Sequence, residues 1–190
     1  NATEIKHPVS DRRKELIMEN FDLDLRSIQE ARNLARQGEE AAKKMATYTS
    51  EQIDKILKSM VEAAEEHAAC LGRMAVEETG FGNAVHKAYK NHAASTLLYE
   101  DIRDMKTVGI ISEDRARGTM DVAAPAGLIM GIVPSTNPTS TVIYKSIIAI
   151  KAGNAIVFSP HPSAAKCTLR AAEVMRDAAV KAGAPEGVIS

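Results

Sequence analysis

Two short apolar runs, each followed by a Pro- and Ser-containing turn and then a helical stretch, restrict this chain more than any other feature. Leu128–Val133 carries no polar residue and no alternation, the pattern of a strand covered on both faces. Ala155–Phe158 repeats it. Pro134-Ser-Thr-Asn-Pro138 and Ser159-Pro-His-Pro162 are the loops that follow. Thr139 or Ser140 is placed to cap a helix running to Ala152, which Gly153 stops. Ser163 is placed to cap an Ala-rich helix ending near Gly183, and Val188-Ile189 opens a third strand. The order β-loop-α-β-loop-α-β implies right-handed crossovers and a parallel sheet, an α/β arrangement. Half of a doubly wound nucleotide-binding fold has this form. Two strands and a stub do not cover such a sheet. The helix bearing Val142, Ile143, Ile147, Ile148 and Ile150 is also apolar nearly all round, so it expects neighbours on several sides. The chain therefore reads as the N-terminal part of a longer polypeptide.

The preceding hundred residues read as helices. Leu25, Ile28, Ala31, Leu34 and Ala35 recur at helical spacing. Thr49 and Gln52 form a T-x-x-Q capping box ahead of Ile53, Ile56, Leu57 and Met60. A further run from about His67 ends at Gly80, and another covers Asn83 to Met105. Residues 1–20 are polar around a Leu16-Ile17-Phe21 patch and read as an extension helix, with a short amphipathic docking peptide as the alternative. Thr107–Ile111 and Thr119–Ala123 read as strands joined by a charged loop, Ser112 to Gly118. The edges of such a hairpin invite pairing with another subunit, although an ordinary surface hairpin looks the same. The expected division is 1–24 extension, 25–106 helical part, 107–124 hairpin and 125–190 βαβαβ portion.

Charge excludes some functions. Among 190 residues, 24 Lys+Arg oppose 25 Asp+Glu for a net charge of −1, unlike the basic face of a nucleic-acid protein. The longest uncharged apolar stretch, Val122–Val133, is broken by Pro125 and Gly127 and is too short to span a bilayer. Two cysteines, Cys70 and Cys167, provide neither a disulfide framework nor zinc spacing, so no metal is expected and a reduced cytoplasm is the default setting. Residues 118–172 carry Lys145, Lys151, Lys166 and Arg170 against Asp121 alone. A segment so poor in carboxylates suits an anionic ligand, or is simply buried.

In an open α/β sheet, ligands bind beyond the carboxyl ends of the strands. The loops Pro134–Pro138 and Ser159–Pro162 occupy that place. The first leads into a helix N-terminus, where free N–H groups and the helix dipole favour negative charge. Asn137 adds a neutral NH2 donor of the kind that stabilises an oxyanion. The same residue types also build an ordinary turn and cap. No G-x-G-x-x-G follows the first strand. His86 and His92 lie on different faces of one helix and are poor co-ligands. Cys70 and Cys167 read as small core residues, with Cys167 a lesser candidate for a thiol activated by its helix N-terminus. His161, held between two prolines, is placed to touch a ligand or merely to shape the turn.

The stretch Gly131-Ile-Val-Pro-Ser-Thr-Asn-Pro-Thr-Ser-Thr, with Lys145-Ser and Gly153-Asn-Ala-Ile-Val-Phe-Ser-Pro-His-Pro162, closely resembles the CoA-acylating branch of the aldehyde dehydrogenase superfamily. That branch includes acylating acetaldehyde and propionaldehyde dehydrogenases and the aldehyde half of aldehyde-alcohol dehydrogenases. Weaker similarity runs back through Asn91-His92, Ser112-Glu-Asp114 and the Thr49 helix, to about residue 25. The resemblance implies NAD(P)-dependent conversion of a small aldehyde and coenzyme A to an acyl-CoA, or the reverse, by way of a cysteine thioester. It implies that Ile132, Val133, Pro134, Ser135, Thr136 and Asn137 line the cofactor, with Asn137 the oxyanion donor. Non-acylating relatives place that asparagine where Thr136 stands here, so Thr136 shares the candidacy. Ser159 and His161 fall near the adenosine end, and Ser159 stands where those relatives carry a ribose-binding lysine, which leaves NAD or NADP open. The hairpin matches the part of the family that builds the oligomer interface, so a homo-oligomer is implied. The resemblance also implies that the family's nucleophilic cysteine matches neither Cys70 nor Cys167 and falls beyond residue 190. The cytoplasm, or a bacterial microcompartment, is the implied location. A non-acylating aldehyde dehydrogenase and a non-catalytic nucleotide-binding or assembly module are the alternatives.

Overall fold

The computed structural model describes residues 22–190, so the expected extension helix lies outside the described residues. The chain divides into two compact units after Leu34. Helix α1 spans Leu23–Met45. In the first unit its apolar positions Leu25 and Ile28 form a helical stripe but stay exposed.

The second unit holds the remaining elements. Helix α2 runs Ser50–Thr79, α3 Ala84–His92 and α4 Leu98–Ile102, with a π-helical turn at Ala93–Leu97 between the last two. Strands β1 (Gly109–Asp114) and β2 (Thr119–Ala123) form the hairpin. Then come β3 (Leu128–Val133), α5 (Pro138–Lys151), β4 (Ala155–Pro160), a 3-10 turn at Pro162–Ala164 and α6 (Ala165–Lys181). The core joins Ile53, Ile56, Leu57 and Met60 of α2 to Val142, Ile143, Ile147 and Ile150 of α5, and to Ile156, Met175 and Ile189.

The capping box is formed: Thr49 Oγ1 accepts from Gln52 N at 3.3 Å, and Gln52 Oε1 accepts from Thr49 N at 2.9 Å. Gly80 closes α2 at φ 72°. The two helical runs expected between these signals are one 30-residue helix, because no Gly, Pro or turn-former near His67 interrupts it strongly enough. The single helix expected over Asn83–Met105 is instead divided by the π turn. There the Ser95 hydroxyl donates to the carbonyls of Asn91 (2.8 Å) and His92 (3.2 Å), competing with the backbone ladder.

In the hairpin, β1 extends to Asp114, further than the expected Ile111. Asp114 Oδ1 accepts from the N–H groups of Ala116 and Arg117, both at 3.0 Å, which tightens the loop to residues 115–118. The register slips between Ile110 and Ser112, and Ile110, Ile111, Met120 and Val122 are exposed.

Strands β3 and β4 pair in parallel from Leu128↔Ala155 to Val133↔Pro160, and Ile189 bridges to Ile156 on the other side of β4. The expected third strand is thus present as a parallel bridge. Complete cover of β3 is not observed among the described residues. A Cβ on Gly38 of α1 would lie 2.6 Å from the Leu128 side chain, so the helix sits tightly over the start of the strand. Further along the same face Met130 and Ile132 are each 70% exposed. This bare apolar strip leads toward the carboxyl ends of the strands.

Candidate functional site

The β3–α5 turn, Pro134 to Asn137, begins with local stereochemistry. Pro138 occupies the first helical turn, where its missing N–H costs nothing and its fixed φ suits the helix. This shifts the cap upstream of the expected Thr139 or Ser140, to Asn137, whose backbone adopts φ −142° and ψ 57°. The Asn137 side chain makes no capping hydrogen bond. Thr139 turns inward instead. Its hydroxyl donates to Asn91 Oδ1 at 2.9 Å, and Asn91 Nδ2 donates to the Ala68 carbonyl at 2.9 Å.

Two lysines of α3 hold the turn. Asn83 caps this helix by accepting from His86 N at 2.9 Å. Gly72 lets α3 press onto α2, because a Cβ there would stand only 2.8 Å from Ala88 N. The close approach carries Lys87 and Lys90 to the turn. Lys87 is buried and its ammonium donates to the Thr136 carbonyl. Burial, aided by the neighbouring Lys90 charge, pushes the Lys87 pKa down. Lys90 Nζ donates to Asn137 Oδ1 at 2.9 Å. An ammonium only donates, so this contact fixes which end of the amide is oxygen and leaves the Asn137 NH2 facing away from it. Phe81, His86, Lys87, Lys90, Thr136 and Asn137 line a cleft of about 250 Å³ with no acidic lining residue. Lys145 Nζ donates to the Ile132 carbonyl at 2.8 Å, at the end of β3.

The β4–α6 turn is built differently. Ser159 lies opposite Ile132 in the ladder, and His161 N donates to the Val133 carbonyl at 3.1 Å. The cap expected from Ser163 comes from His161, whose Nδ1 accepts from Ser163 N at 3.2 Å because the helix proper begins only after the 3-10 turn. The N-terminus of α6 is closed by Glu78 of α2, which accepts from Lys166 N at 2.9 Å and Cys167 N at 2.7 Å. Burial works to raise the Glu78 pKa, but these two backbone donors outweigh it and hold the carboxyl below its ordinary value.

Burial and the same carboxylate together decide the fate of Cys167. Burial first, and then the Glu78 hydrogen bond and charge, push its thiol up to about 12. Activation by a helix N-terminus is therefore overturned: the acid spends the dipole and the core removes water. Cys70, expected in the core, is exposed. His86 pairs with Asn83 and His92 with Glu65, as separate contacts. Among the described residues no group of three metal-ligating side chains occurs.

The expected site residues thus occupy two neighbouring turns: Ile132 and Val133 on β3, Pro134, Ser135, Thr136 and Asn137 after it, and Ser159 and His161 at the end of β4. Sequence reading missed Lys87, Lys90 and Glu78. The lysines had a weak signal, two cations three positions apart on one helix face. Glu78 had none, since its partners lie 88 and 89 positions away.

The aldehyde dehydrogenase family profile matches residues 6–190. The bifunctional aldehyde-alcohol dehydrogenase of Escherichia coli K12 is 45% identical over 163 residues, 86% of this chain and 18% of that protein. An acetylating aldehyde dehydrogenase from Geobacillus thermoglucosidasius superposes with a TM-score of 0.88 at 56% identity, over 89% of this chain and 37% of that one. A propionaldehyde dehydrogenase from Rhodopseudomonas palustris, solved with bound CoA and an acylated cysteine, superposes with a TM-score of 0.67 at 29% identity, over 82% of this chain and 34% of that one. The chain thus spans well under half the length of these relatives. It belongs to the aldehyde dehydrogenase family, and its likeness lies with the acylating members.

Proposed function

We propose that this chain contributes the NAD(P)-binding portion and the oxyanion donor of an enzyme that converts an aldehyde and coenzyme A to an acyl-CoA, reversibly. The observation that carries the reading is the Asn137 amide, held by its oxygen to Lys90 with its NH2 group left over at an open helix N-terminus. The residues present fit a dinucleotide. The exposed strip of Met130 and Ile132 offers an apolar floor, and it ends at a turn with two ammonium groups and no carboxylate in its cleft. Ile132 to Asn137 would hold the nicotinamide end, and Ser159 and His161 the adenosine end. When bound, the nicotinamide accepts the hydride that leaves the aldehyde carbon.

The chain's own contribution is electrostatic. A cysteine thiolate from elsewhere in the enzyme adds to the aldehyde carbon, and its oxygen becomes negative. Asn137 Nδ2 donates to that oxygen, while helix geometry leaves the N–H groups of Thr139 and Ser140 without intrahelical partners beside it. Loss of hydride leaves an enzyme thioester, which the CoA thiol attacks to free the cysteine. Cys167 is unsuited to the nucleophile's role, being buried and protonated. The exposed hairpin would pair with a second copy, and the reduced setting favoured by two free cysteines suits the cytoplasm or a microcompartment. Product analysis of the full-length enzyme with NAD and a small-aldehyde panel tests the reaction. Thioester formed only when CoA is present is the expected result; free acid formed equally without CoA would refute acylation.

A further inference from the structure

In the cleft beside Asn137, both lysines of one face of α3 donate to the same turn. Lys87 reaches the Thr136 carbonyl and Lys90 the adjacent Asn137 side-chain oxygen, so two consecutive residues are tied to one helix. Lys87 is 5% exposed, and its only hydrogen-bond partner among the described residues is that carbonyl. A buried ammonium with no carboxylate beside it is costly to maintain, and its position is set by the close α2–α3 contact at Gly72. Asn137 has no cap bond to hold its side chain, so its amide orientation rests on Lys90.

We infer that Lys87 and Lys90 are positioning residues, which clamp the turn so that the Asn137 NH2 group points at the reacting oxygen. The inference rests on Asn137 being the oxyanion donor. Lys90 does two things through one contact. It selects the amide orientation, since a flipped amide would set NH2 against ammonium. It also withdraws electron density from the amide oxygen, which makes the NH2 a stronger donor. Lys87 sets the backbone from which that side chain projects. A small misplacement of a catalytic group is enough to lose much of its effect.

The test uses the full-length enzyme with four forms: wild type, Lys90→Met, Asn137→Ala and the double variant. Lys90 is exposed, so its replacement leaves the core intact, whereas Lys87→Met risks misfolding and serves only as a supplement. Lys90→Met is expected to lower kcat about tenfold with KM for CoA little changed, and to add nothing in the double variant, because residues acting as a unit are not additive. An unchanged kcat in Lys90→Met, or a full further loss in the double variant, overturns the clamp. A crystal structure of Lys90→Met gives a readout independent of rate. A turned or multiply oriented Asn137 side chain supports the clamp, and an unmoved one overturns it. An unaffected Asn137→Ala refutes the oxyanion role instead, while the crystal structure still decides the clamp.

Discussion

The turns after β3 and β4 are neighbours of the same topological kind, yet one helix N-terminus is open and the other shut. Ahead of α5, lysines from α3 grip the turn by its oxygens, and Asn137 keeps its NH2 group in reserve. Ahead of α6, a carboxylate from α2 takes the free N–H groups of Lys166 and Cys167. Both α2 and α3 therefore act on the site, with opposite charge. A carboxylate that accepts from a helix N-terminus neutralises it and turns it into structure; ammonium groups that donate to the turn's oxygens leave the N–H donors for a ligand. The turn sequences look alike in composition, and the distinction is made by residues far away in the chain.

Three substitutions test that contrast. The largest effect is expected at the open turn: Asn137→Ala in the full-length enzyme should lower kcat by about 10²–10³-fold, the loss of one oxyanion donor, in steady-state kinetics. The next lies in the packing that delivers the lysines. Gly72→Ala drives a methyl into the α3 backbone and should cost about 1–3 kcal/mol in urea unfolding, because backbone, unlike a side-chain tip, cannot step aside. The smallest lies at the closed turn. Glu78→Ala should remove about 1 kcal/mol of stability through loss of a cap, with kcat changed by less than about twofold.

The Glu78 effect has a definite pH signature. The folded state holds this carboxyl below its ordinary value of 4.5. Its stabilisation is therefore complete above that value and disappears as pH falls through the lower folded pKa. The Tm difference between wild type and Glu78→Gln should be constant near neutrality and narrow below pH 4.5.

Much of the architecture was legible from local signals. Thr49, Gln52 and Gly80 announce the ends of α2, and unbroken apolar runs announce β3 and β4, because caps and burial patterns are properties of a few adjacent residues. The turn residues Pro134–Asn137 were legible for the same reason. What escaped notice came from distant contacts. Neither the Ser95 hydroxyl that accompanies the π turn, nor Glu78 at Cys167, nor the lysine pair at Asn137 has a pattern that marks its partner. Cys167 is buried, as its reading as a small core residue expects, while the lesser candidacy, a thiol activated by its helix N-terminus, is reversed by burial and by an acid from another helix.

The most direct measurement is a crystal structure of the full-length enzyme trapped as its acyl-enzyme. The Asn137 Nδ2 atom should stand about 2.7–3.1 Å from the acyl oxygen while Lys90 still holds Oδ1. An acyl oxygen bound elsewhere, with the Asn137 NH2 group turned away from it, would contradict the account.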